Sequence, residues 1–214
     1  MQLEGLFLAF PVIETERLIL RQFTPDDAQA LFVCLSEPDV WRYSRRPVPT
    51  SLEGITHHLD TLLKRYQERT MVTWAIVLKE NQHVIGKFQM EEWSDEHHHA
   101  AVGYLLGKQY WGKGYATEAL RAVMAYLFEH TTVNRIDAFT WRENVASARV
   151  MEKAGMRFEG LARQRYFAKG AFRDLKTYAI LREDVLDQKV AKPLFRMDDK
   201  KHWEHPGDEG SRPC

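Results

Sequence analysis

The sequence predicts a mixed α+β fold, in which helices pack against a central β-sheet. Residues 13–23, 73–78 and 84–90 show the alternating or short apolar pattern of strands, whereas residues 115–129 place apolar side chains at helical spacing. Capping residues before the helices and turn residues between the strands separate these segments. A chain of 214 residues with this interleaving favours one domain.

The first part of the chain predicts one strand followed by two helices. The strand covers residues 13–23, where apolar and polar residues alternate. Thr24-Pro25-Asp26-Asp27 then combines a capping residue, a proline at the first helical position and two carboxylates, so a helix is expected to about residue 36. After an aromatic and basic loop, Thr50 and Glu53 form a capping-box pattern for a helix that reaches about residue 69.

The remaining elements alternate between strands and helices. Glu80-Asn81-Gln82 predicts a hairpin turn between two strands, and Lys169-Gly170 predicts a second one. The predicted order is strands 73–78, 84–90 and 100–106, a loop at 107–114, helix 115–129, strand 135–140, helix 146–154, and strands 158–167 and 172–181. From residue 192 the chain is polar and without periodicity, so we expect a domain over residues 1–191 and a tail over 192–214.

The composition limits the kinds of partner and the cellular compartment that are expected. Lys plus Arg and Asp plus Glu both number 30, so no bulk charge attracts nucleic acid or an anionic membrane. No run of about 18 apolar residues predicts a membrane span, and the first residues lack the pattern of a signal peptide. Cys34 and Cys214 do not form a disulfide framework, which favours a reducing, cytoplasmic location.

The loop from Gln109 to Ala116 carries the most specific chemical signal. It reads Gln-Tyr-Trp-Gly-Lys-Gly-Tyr-Ala and lies between a predicted strand and a predicted helix. Two glycines let backbone N–H groups converge, and the helix start adds unpaired donors, which suits a pyrophosphate. The spacing fits neither a Walker A loop nor a dinucleotide fingerprint. The alternative is a tight strand-to-helix turn that needs glycine for its geometry.

Gln109-x-x-Gly112-x-Gly114 resembles the coenzyme A signature of the GCN5-related N-acetyltransferase family. Residues 12–186 resemble in particular the branch that acetylates the N-termini of ribosomal proteins (RimJ/RimL-like). Further segments in the matching order are Glu14 to Arg21, Val102-Gly103-Tyr104, Tyr115 to Ala119, Glu143-Asn144 with Ser147, and Arg182-Glu183-Asp184.

The resemblance implies a fold and a cofactor site. The fold has a mostly antiparallel mixed sheet of about seven strands, splayed between the fourth (100–106) and fifth (135–140), where the pantetheine arm of acetyl-CoA enters as a pseudo-strand. Acetyl-CoA is the acetyl donor, and no metal is needed. The implied cofactor-binding residues are Tyr104, Leu105, Leu106, Gln109, Trp111, Gly112, Lys113, Gly114, Tyr115, Ala116, Asn144 and Ser147.

The resemblance also implies catalytic roles. Backbone N–H groups near Leu105 and Leu106 would stabilise the oxyanion, and Ser147 would protonate the leaving thiolate. Asn144 and Ser147 could alternatively only cap the helix that follows them. Met151 stands where many relatives have a tyrosine acid, and Ala101 stands where this branch often has glutamate.

The base that accepts the proton of the amine therefore has to lie elsewhere. Glu91 is the candidate, and Glu92 and the His97-His98-His99 run are other nearby titratable groups; the alternative is that all of them are solvated surface side chains. Because adjacent strand residues point to opposite faces, we expect at most one of each set to face the cleft. The same alternation argues against a metal site at the three histidines.

The leading hypothesis is direct transfer of acetyl from acetyl-CoA to a primary amine, either a protein N-terminal α-amine or a small amine. A catalytically degenerate acetyl-CoA sensor or scaffold is the alternative, and a nucleotide-binding module is a third. Residues 41–49 and 166–172 are expected to form the walls of the acceptor side. Trp41, Tyr43, Trp93 and Tyr166 either stack on the acceptor or are core or rim packing. Arg45 and Arg46 either attract an acidic acceptor or are solvated. A homodimer is left open.

Overall fold

An eight-stranded sheet organises residues 3–185, the part of the chain that the computed structural model describes. The strands are β1 (Ile13–Glu14), β2 (Leu18–Gln22), β3 (Val72–Leu78), β4 (Val84–Ser94), β5 (His99–Leu106), β6 (Arg135–Trp141), β7 (Arg157–Ala168) and β8 (Ala171–Leu181). The helices are α1 (Ala28–Leu35), α2 (Leu52–Gln67), α3 (Tyr115–His130) and α4 (Val145–Lys153). Short 3-10 helices occupy Leu3–Phe7, Pro25–Asp27, Pro38–Trp41 and Lys108–Tyr110.

The sheet has the order β1-β2-β3-β4-β5-β6-β8-β7 and is antiparallel except for the pair β5 and β6. Helices cover both faces. Ile55 and Leu59 of α2 pack with Ala75 and Val77 of β3 on one face. On the other face a larger cluster joins the apolar side of α3 to the sheet, and its members include Leu120, Val123, Leu127, Trp74, Ile76, Phe88 and Met90. The mixed α/β fold is thus confirmed.

This two-sided cover explains why β3 lacks the alternation of a surface strand. All seven of its residues are buried, because Trp74 and Ile76 face α3 while Ala75 and Val77 face α2. A strand that is covered on both faces has an almost continuous apolar sequence. β3 is therefore an inner strand and fixes the position of the strands on either side.

The pairing between β5 and β6 ends halfway along both strands. Its last pair is Val102 with Ala138, although β5 continues to Leu106 and β6 to Trp141. β6 keeps its other neighbour, β8, as far as Trp141. The two halves of the sheet therefore diverge after Val102 and leave a gap between strands.

The prediction of one strand over residues 13–23 is wrong. Thr15 ends β1, because its Oγ1 accepts a hydrogen bond from the Leu18 N–H at 2.9 Å and donates to Glu118 of α3 at 2.6 Å. The chain reverses there, and β1 pairs with β2 as an antiparallel neighbour. This turn raises the strand number from about seven to eight.

Other boundaries differ by a few residues. The N-cap of α2 is Ser51, not Thr50, since the Ser51 Oγ accepts from the Gly54 N–H at 3.1 Å. β4 extends to Ser94, so Glu91 lies inside the strand. The hairpin turn at Lys169-Gly170 is confirmed, and both residues have positive φ, as two-residue hairpin turns favour. The predicted tail, 192–214, lies outside the described residues.

Candidate active site

A cleft of about 1220 Å³ opens where β5 and β6 diverge. Its lining comes from the end of β5, the start of α3, the start of α4, part of β4 and the loop before α2. A pocket for one small molecule typically measures roughly 300–1,000 Å³. The cleft is larger than that, so it has room for an extended cofactor and a second substrate.

One end of the cleft is the glycine loop. Gly112 and Gly114 have φ values of 74° and 85°, in the left-handed region that glycine adopts without strain. A Cβ on Gly112 would meet no atom within 4 Å, so open space lies directly against the backbone at this part of the cleft wall. The Glu118 N–H bonds to the Gly114 carbonyl, which leaves the preceding N–H groups of α3 without partners inside the helix. These donors and the helix dipole form an anion cradle.

The turn between β1 and β2 holds this loop in place. Arg17 donates to both Glu118 oxygens, at 2.9 Å from its N–H and 2.7 Å from its Nε, and it also donates to the Lys113 carbonyl at 3.0 Å. Its guanidinium lies 4.6 Å from the centre of the Tyr115 ring. Burial alone would raise the pKa of Glu118, but hydrogen bonds from Thr15 and Arg17 outweigh burial and lower it. Glu118 is therefore ionised, and it holds the start of α3 against the β1–β2 turn.

The amide groups of β5 alternate between its two neighbours. The Gly107 N–H donates to the Ile85 carbonyl beside β4, whereas the His98 carbonyl accepts from the Arg135 N–H beside β6. Odd-numbered residues of β5 therefore turn their amides toward β4 and even-numbered ones toward β6. Past Val102 the β6 side is open, so the N–H groups of Tyr104 and Leu106 face the cleft, while that of Leu105 faces β4.

Two hydroxyl groups meet in the middle of the cleft. The Tyr104 hydroxyl lies 3.1 Å from the Ser147 Oγ, and both residues line the cleft. Burial raises the pKa of Tyr104 to about 12, although its hydrogen bond with Ser147 acts in the opposite direction. The phenol thus stays protonated at neutral pH. The Asn144 side chain accepts from the Ser147 N–H at 3.1 Å, so Asn144 does cap α4 while it lines the cleft.

The other end of the cleft has aromatic and basic walls. Trp41, Tyr43 and Tyr166 line it, as expected from the sequence. The Arg45 guanidinium lies 4.4 Å from the centre of the Tyr166 ring, and the Lys169 ammonium donates to the Trp41 carbonyl at 2.6 Å. The 41–49 loop and the β7–β8 hairpin are therefore joined. Trp93 does not line this wall, since it packs against Phe7 with ring centres 5.6 Å apart.

The expectation that only one of Glu91 and Glu92 faces the cleft is wrong. A register shift between Met90 and Glu92 interrupts the alternation of β4, and both carboxylates line the cleft. The Gln89 amide donates to Glu91 Oε1 at 2.5 Å. The three histidines do not line the cleft: His97 and His98 precede β5, and His99 is its first residue. The His99 side chain pairs with Asp137 at 2.5 Å.

A buried basic cluster in the cleft was missed from the sequence. Lys87 of β4 is only 3% exposed and lines the cleft. Its ammonium lies 3.4 Å from His58 Nε2, and His58 Nδ1 lies 3.5 Å from Arg46. The available signal was a lysine inside the otherwise apolar run Val84-Ile85-Gly86-Lys87-Phe88. Its partners come from distant segments and could not be identified from local patterns.

Most of the predicted site residues meet in this one cleft. Those that line it are Glu91, Tyr104, Leu105, Leu106, Trp111, Gly112, Gly114, Tyr115, Ala116, Asn144 and Ser147. Gln109 and Lys113 belong to the loop but do not line the cleft, and Ala101 and Met151 do line it. Over residues 3–185 there is no group of three or more His, Cys, Asp or Glu residues that could hold a metal ion, and no helix long and apolar enough to cross a membrane.

The chain is similar to known acetyltransferases. Residues 17–157 match the family model described as the acetyltransferase (GNAT) domain. YoaA of Bacillus subtilis strain 168, named as an uncharacterized N-acetyltransferase, is 34% identical over 81% of this chain and 98% of its own. A GNAT-family acetyltransferase structure from Bacillus anthracis has a TM-score of 0.73 at 29% identity and covers 81% of this chain and 99% of its own.

A more distant structure shares the fold. It is RimL, a ribosomal L7/L12 α-N-protein acetyltransferase in complex with coenzyme A, with a TM-score of 0.70 at 20% identity over 80% of this chain and 98% of its own. The family match covers more than half of the sequence, and it agrees with the divergent strands and the glycine loop. The chain belongs to the GNAT family of acetyltransferases and is an N-acetyltransferase.

Proposed function

We propose that the cleft binds acetyl-CoA and transfers its acetyl group directly to a primary amine. The observation that carries this proposal is the divergence of β5 from β6, which opens beside the anion cradle and exposes the N–H groups of Tyr104 and Leu106 along one edge. Pyrophosphate fits the cradle, and a pantetheine arm fits the open strand edge as a pseudo-strand. Gln109 and Lys113, which the family resemblance implies as binding residues, would then contact the cofactor from the side of the loop that faces away from the cleft.

The transfer step needs an oxyanion donor, a base and an acid. The amine nitrogen attacks the thioester carbon, and the carbonyl oxygen becomes an oxyanion that the Leu106 N–H stabilises. Glu91, which lies on β4 beside Ala101 and Val102 of β5, takes the proton of the amine through ordered water, and the carbon–sulfur bond then breaks. Ser147 gives its proton to the thiolate and regains one from the Tyr104 hydroxyl 3.1 Å away, after which solvent returns a proton to Tyr104 and takes the proton of the amine from Glu91. Leu105 donates no N–H to this step, because its amide faces β4.

The Tyr104–Ser147 pair is the argument against a degenerate sensor. That alternative was motivated by Met151 and Ala101, which replace two polar groups of the family pattern. Met151 is buried in the core cluster and offers no proton. The paired hydroxyls nevertheless place a proton donor in the cleft, at the start of α4. Release of free thiol from acetyl-CoA in the presence of amines separates an enzyme from a sensor, since a sensor binds the cofactor without consuming it.

The acceptor is either a protein N-terminal α-amine or a small amine. A protein acceptor is supported by the shared fold of RimL, which acts on a ribosomal protein, and by the half-buried rings of Tyr43 and Tyr166 in the cleft wall, whereas Trp41 is core packing behind them. A small amine is supported by the titratable groups deep in the cleft. We place the reaction in the cytoplasm, where acetyl-CoA and both acceptors occur, and propose no metal.

Two glycine variants test acetyl-CoA binding. Gly112 and Gly170 have almost equal φ values, 74° and 73°, and neither has an atom within 4 Å of an added Cβ. Gly112→Ala and Gly170→Ala therefore carry the same backbone strain, but only Gly112 lines the cleft. We expect acetyl-CoA, and not ATP or NAD, to raise the melting temperature of the wild type and of Gly170→Ala, with the shift lost in Gly112→Ala. An equal shift in both variants would reject the cradle.

Ser147→Ala tests the assigned acid. The hydroxyl acts on the leaving group, so the variant should lose about 10²-fold in kcat and keep its acetyl-CoA affinity. The Asn144 cap accepts from the Ser147 backbone and is unaffected by the change. Lost affinity with intact turnover of the bound complex would show that Ser147 only binds the cofactor.

A further inference from the structure

The cleft contains a buried cation for which the transfer step has no use. Lys87 lies on β4 opposite Leu105 of β5, and its side chain points to the same face as α2. It is 3% exposed, yet it lines the cleft. A buried charge is costly unless it is paired and hydrogen-bonded. The surroundings of this ammonium therefore indicate what it is there to bind.

The described residues do not neutralise Lys87. Its ammonium has three donors, and its recorded hydrogen-bond partner is His58 Nε2 at 3.4 Å. Glu91, the acid that acts on it electrostatically, accepts instead from the Gln89 amide at 2.5 Å. No ion pair between Lys87 and a carboxylate occurs over residues 3–185. At least one donor is left for a group that enters from the cleft.

The neighbouring charges make this position more positive. Burial, followed by the nearby Arg46, lowers the pKa of Lys87 to about 8, so it remains mostly protonated at pH 7. Burial lowers the pKa of His58 to about 3, and the charges of Lys87 and Arg46 add to that effect, so His58 is neutral and can accept from either cation. Arg45, stacked on Tyr166, adds a third cation to the same wall. An entering anion would relieve the repulsion between these groups.

We propose that the acceptor amine also carries an oxyanion, a carboxylate or a phosphate, which binds between Lys87 and Arg46. This inference rests on the proposed transfer to an amine. Lys87 is one strand away from the β5 edge, a backbone spacing of roughly 5 Å, so an oxyanion bound to its ammonium belongs to the same small acceptor molecule as the amine. Glu91 and Glu92 attract the amine end of such a molecule, while the basic cluster binds the other end.

The first test measures oxyanion binding without turnover. Protein saturated with CoA, which fills the anion cradle, is titrated with sodium phosphate or sodium acetate at constant ionic strength. We expect a saturable rise of about 3 °C in melting temperature. Lys87→Met should abolish the rise, and Arg46→Met should reduce it. Lys64→Met, an exposed lysine of α2 paired with Glu68, is the matched control and should behave as the wild type.

The outcomes are distinct. An equal rise in Lys87→Met and the wild type, or no saturable rise in the wild type, overturns the proposal. A response to phosphate alone assigns a phosphorylated acceptor, and a response to acetate alone assigns a carboxylate. Met has a volume similar to Lys and removes a buried charge, so the fold should tolerate it. Arg46 is exposed, and its variant keeps the test decisive if Lys87→Met does not fold.

The second test uses matched acceptors. β-Alanine and leucine are compared with β-alaninamide and leucinamide, which keep the amine and lose the carboxylate. The wild type should favour the acids at least tenfold in kcat/KM, and Arg46→Met should bring that ratio toward one. A preference for the amides contradicts the inference. The titration needs no turnover, so it tests the oxyanion site independently of acetyl transfer. Acetyl transfer itself is tested by the melting shift with acetyl-CoA and by thiol release.

Discussion

Gly86 controls the distance between β4 and the strand edge on which the cofactor is expected to lie. A Cβ at this position would stand 2.2 Å from the Leu105 carbonyl oxygen and 2.9 Å from the Leu106 Cα. Both are backbone atoms, which cannot rotate away as a side chain can. Gly86→Ala therefore forces β4 and β5 apart at the residues whose backbone is proposed to hold the thioester.

The size of the effect follows from the geometry. Ordinary contact begins near 3.4 Å, so the strands have to separate by about 1 Å. Overpacking of this kind costs about 1–3 kcal/mol. For a chain of this length each kcal/mol lowers the melting temperature by about 2–4 °C, which gives a loss of about 2–12 °C. A displacement of about 1 Å in the reacting groups also costs about 10²-fold in rate.

Thermal unfolding and acetyl-CoA titration measure the two effects. Gly160→Ala is the control, because Gly160 also lies in a strand, has no atom within 4 Å of an added Cβ and is remote from the cleft. Its melting temperature should stay level or rise slightly, as the alanine reduces the freedom of the unfolded chain. If Gly86→Ala is as stable and as active as Gly160→Ala, the close approach of the strands does not exist in solution.

Three further predictions concern single side chains. Glu91→Gln should lower kcat/KM by about 10²-fold or more and leave the melting shift with acetyl-CoA intact, whereas undiminished kcat/KM would exclude Glu91 as the base. Burial raises the pKa of the Cys34 thiol to about 11, so in a Cys214→Ser background a thiol reagent at pH 8 should modify Cys34 only after unfolding, and rapid labelling of the native protein would contradict its burial. Burial would raise the pKa of Asp27, but the bidentate Arg21 contact at 2.8 Å and the Thr24 N–H lower it overall. The stability that this carboxylate provides is therefore complete above about pH 4 and lost as the pH falls through its folded pKa. Asp27→Asn should cost about 1.5–3 kcal/mol at pH 7 in denaturant unfolding and progressively less as the pH falls through the folded pKa of Asp27, and a constant difference across the acid range would refute the linkage.

The sequence predicted the elements whose information is local. Apolar periodicity was sufficient for the order of strands and helices, and the glycine loop was placed correctly between β5 and α3. The break at Thr15 was missed, because the turn depends on Glu118, more than 100 residues away. The shift at Met90 was missed because a bulge has no apolar pattern of its own, and it turned both Glu91 and Glu92 toward the cleft.

The amide directions of β5 show a different kind of limit. The family resemblance pointed to Leu105 and Leu106 together, since a motif names positions and not the way a peptide group faces. The Gly107 bond to Ile85 and the Arg135 bond to His98 fix those directions: the Leu106 N–H faces the cleft and the Leu105 N–H faces β4, which is why Leu106 is the proposed oxyanion donor. The experiment that follows is specific: an ester bond in place of the amide at Leu106 should lower kcat, and the same change at Leu105 should lower stability through the lost bond to β4.

Met151 and Ala101 replace two polar groups of the family pattern, and the proposed transfer step assigns the proton chemistry to Tyr104 and Ser147 instead. Tyr104 belongs to β5 whereas Met151 belongs to α4, so the Tyr104 hydroxyl reaches Ser147 from the strand instead of from the helix. A phenol with a pKa of about 12 is a weak acid by itself, so it acts best by resupplying a serine that faces the sulfur. Tyr104→Phe should then slow kcat less than Ser147→Ala, and the double variant should be no slower than Ser147→Ala alone. Independent, multiplicative losses would show that the two hydroxyls do not form one relay.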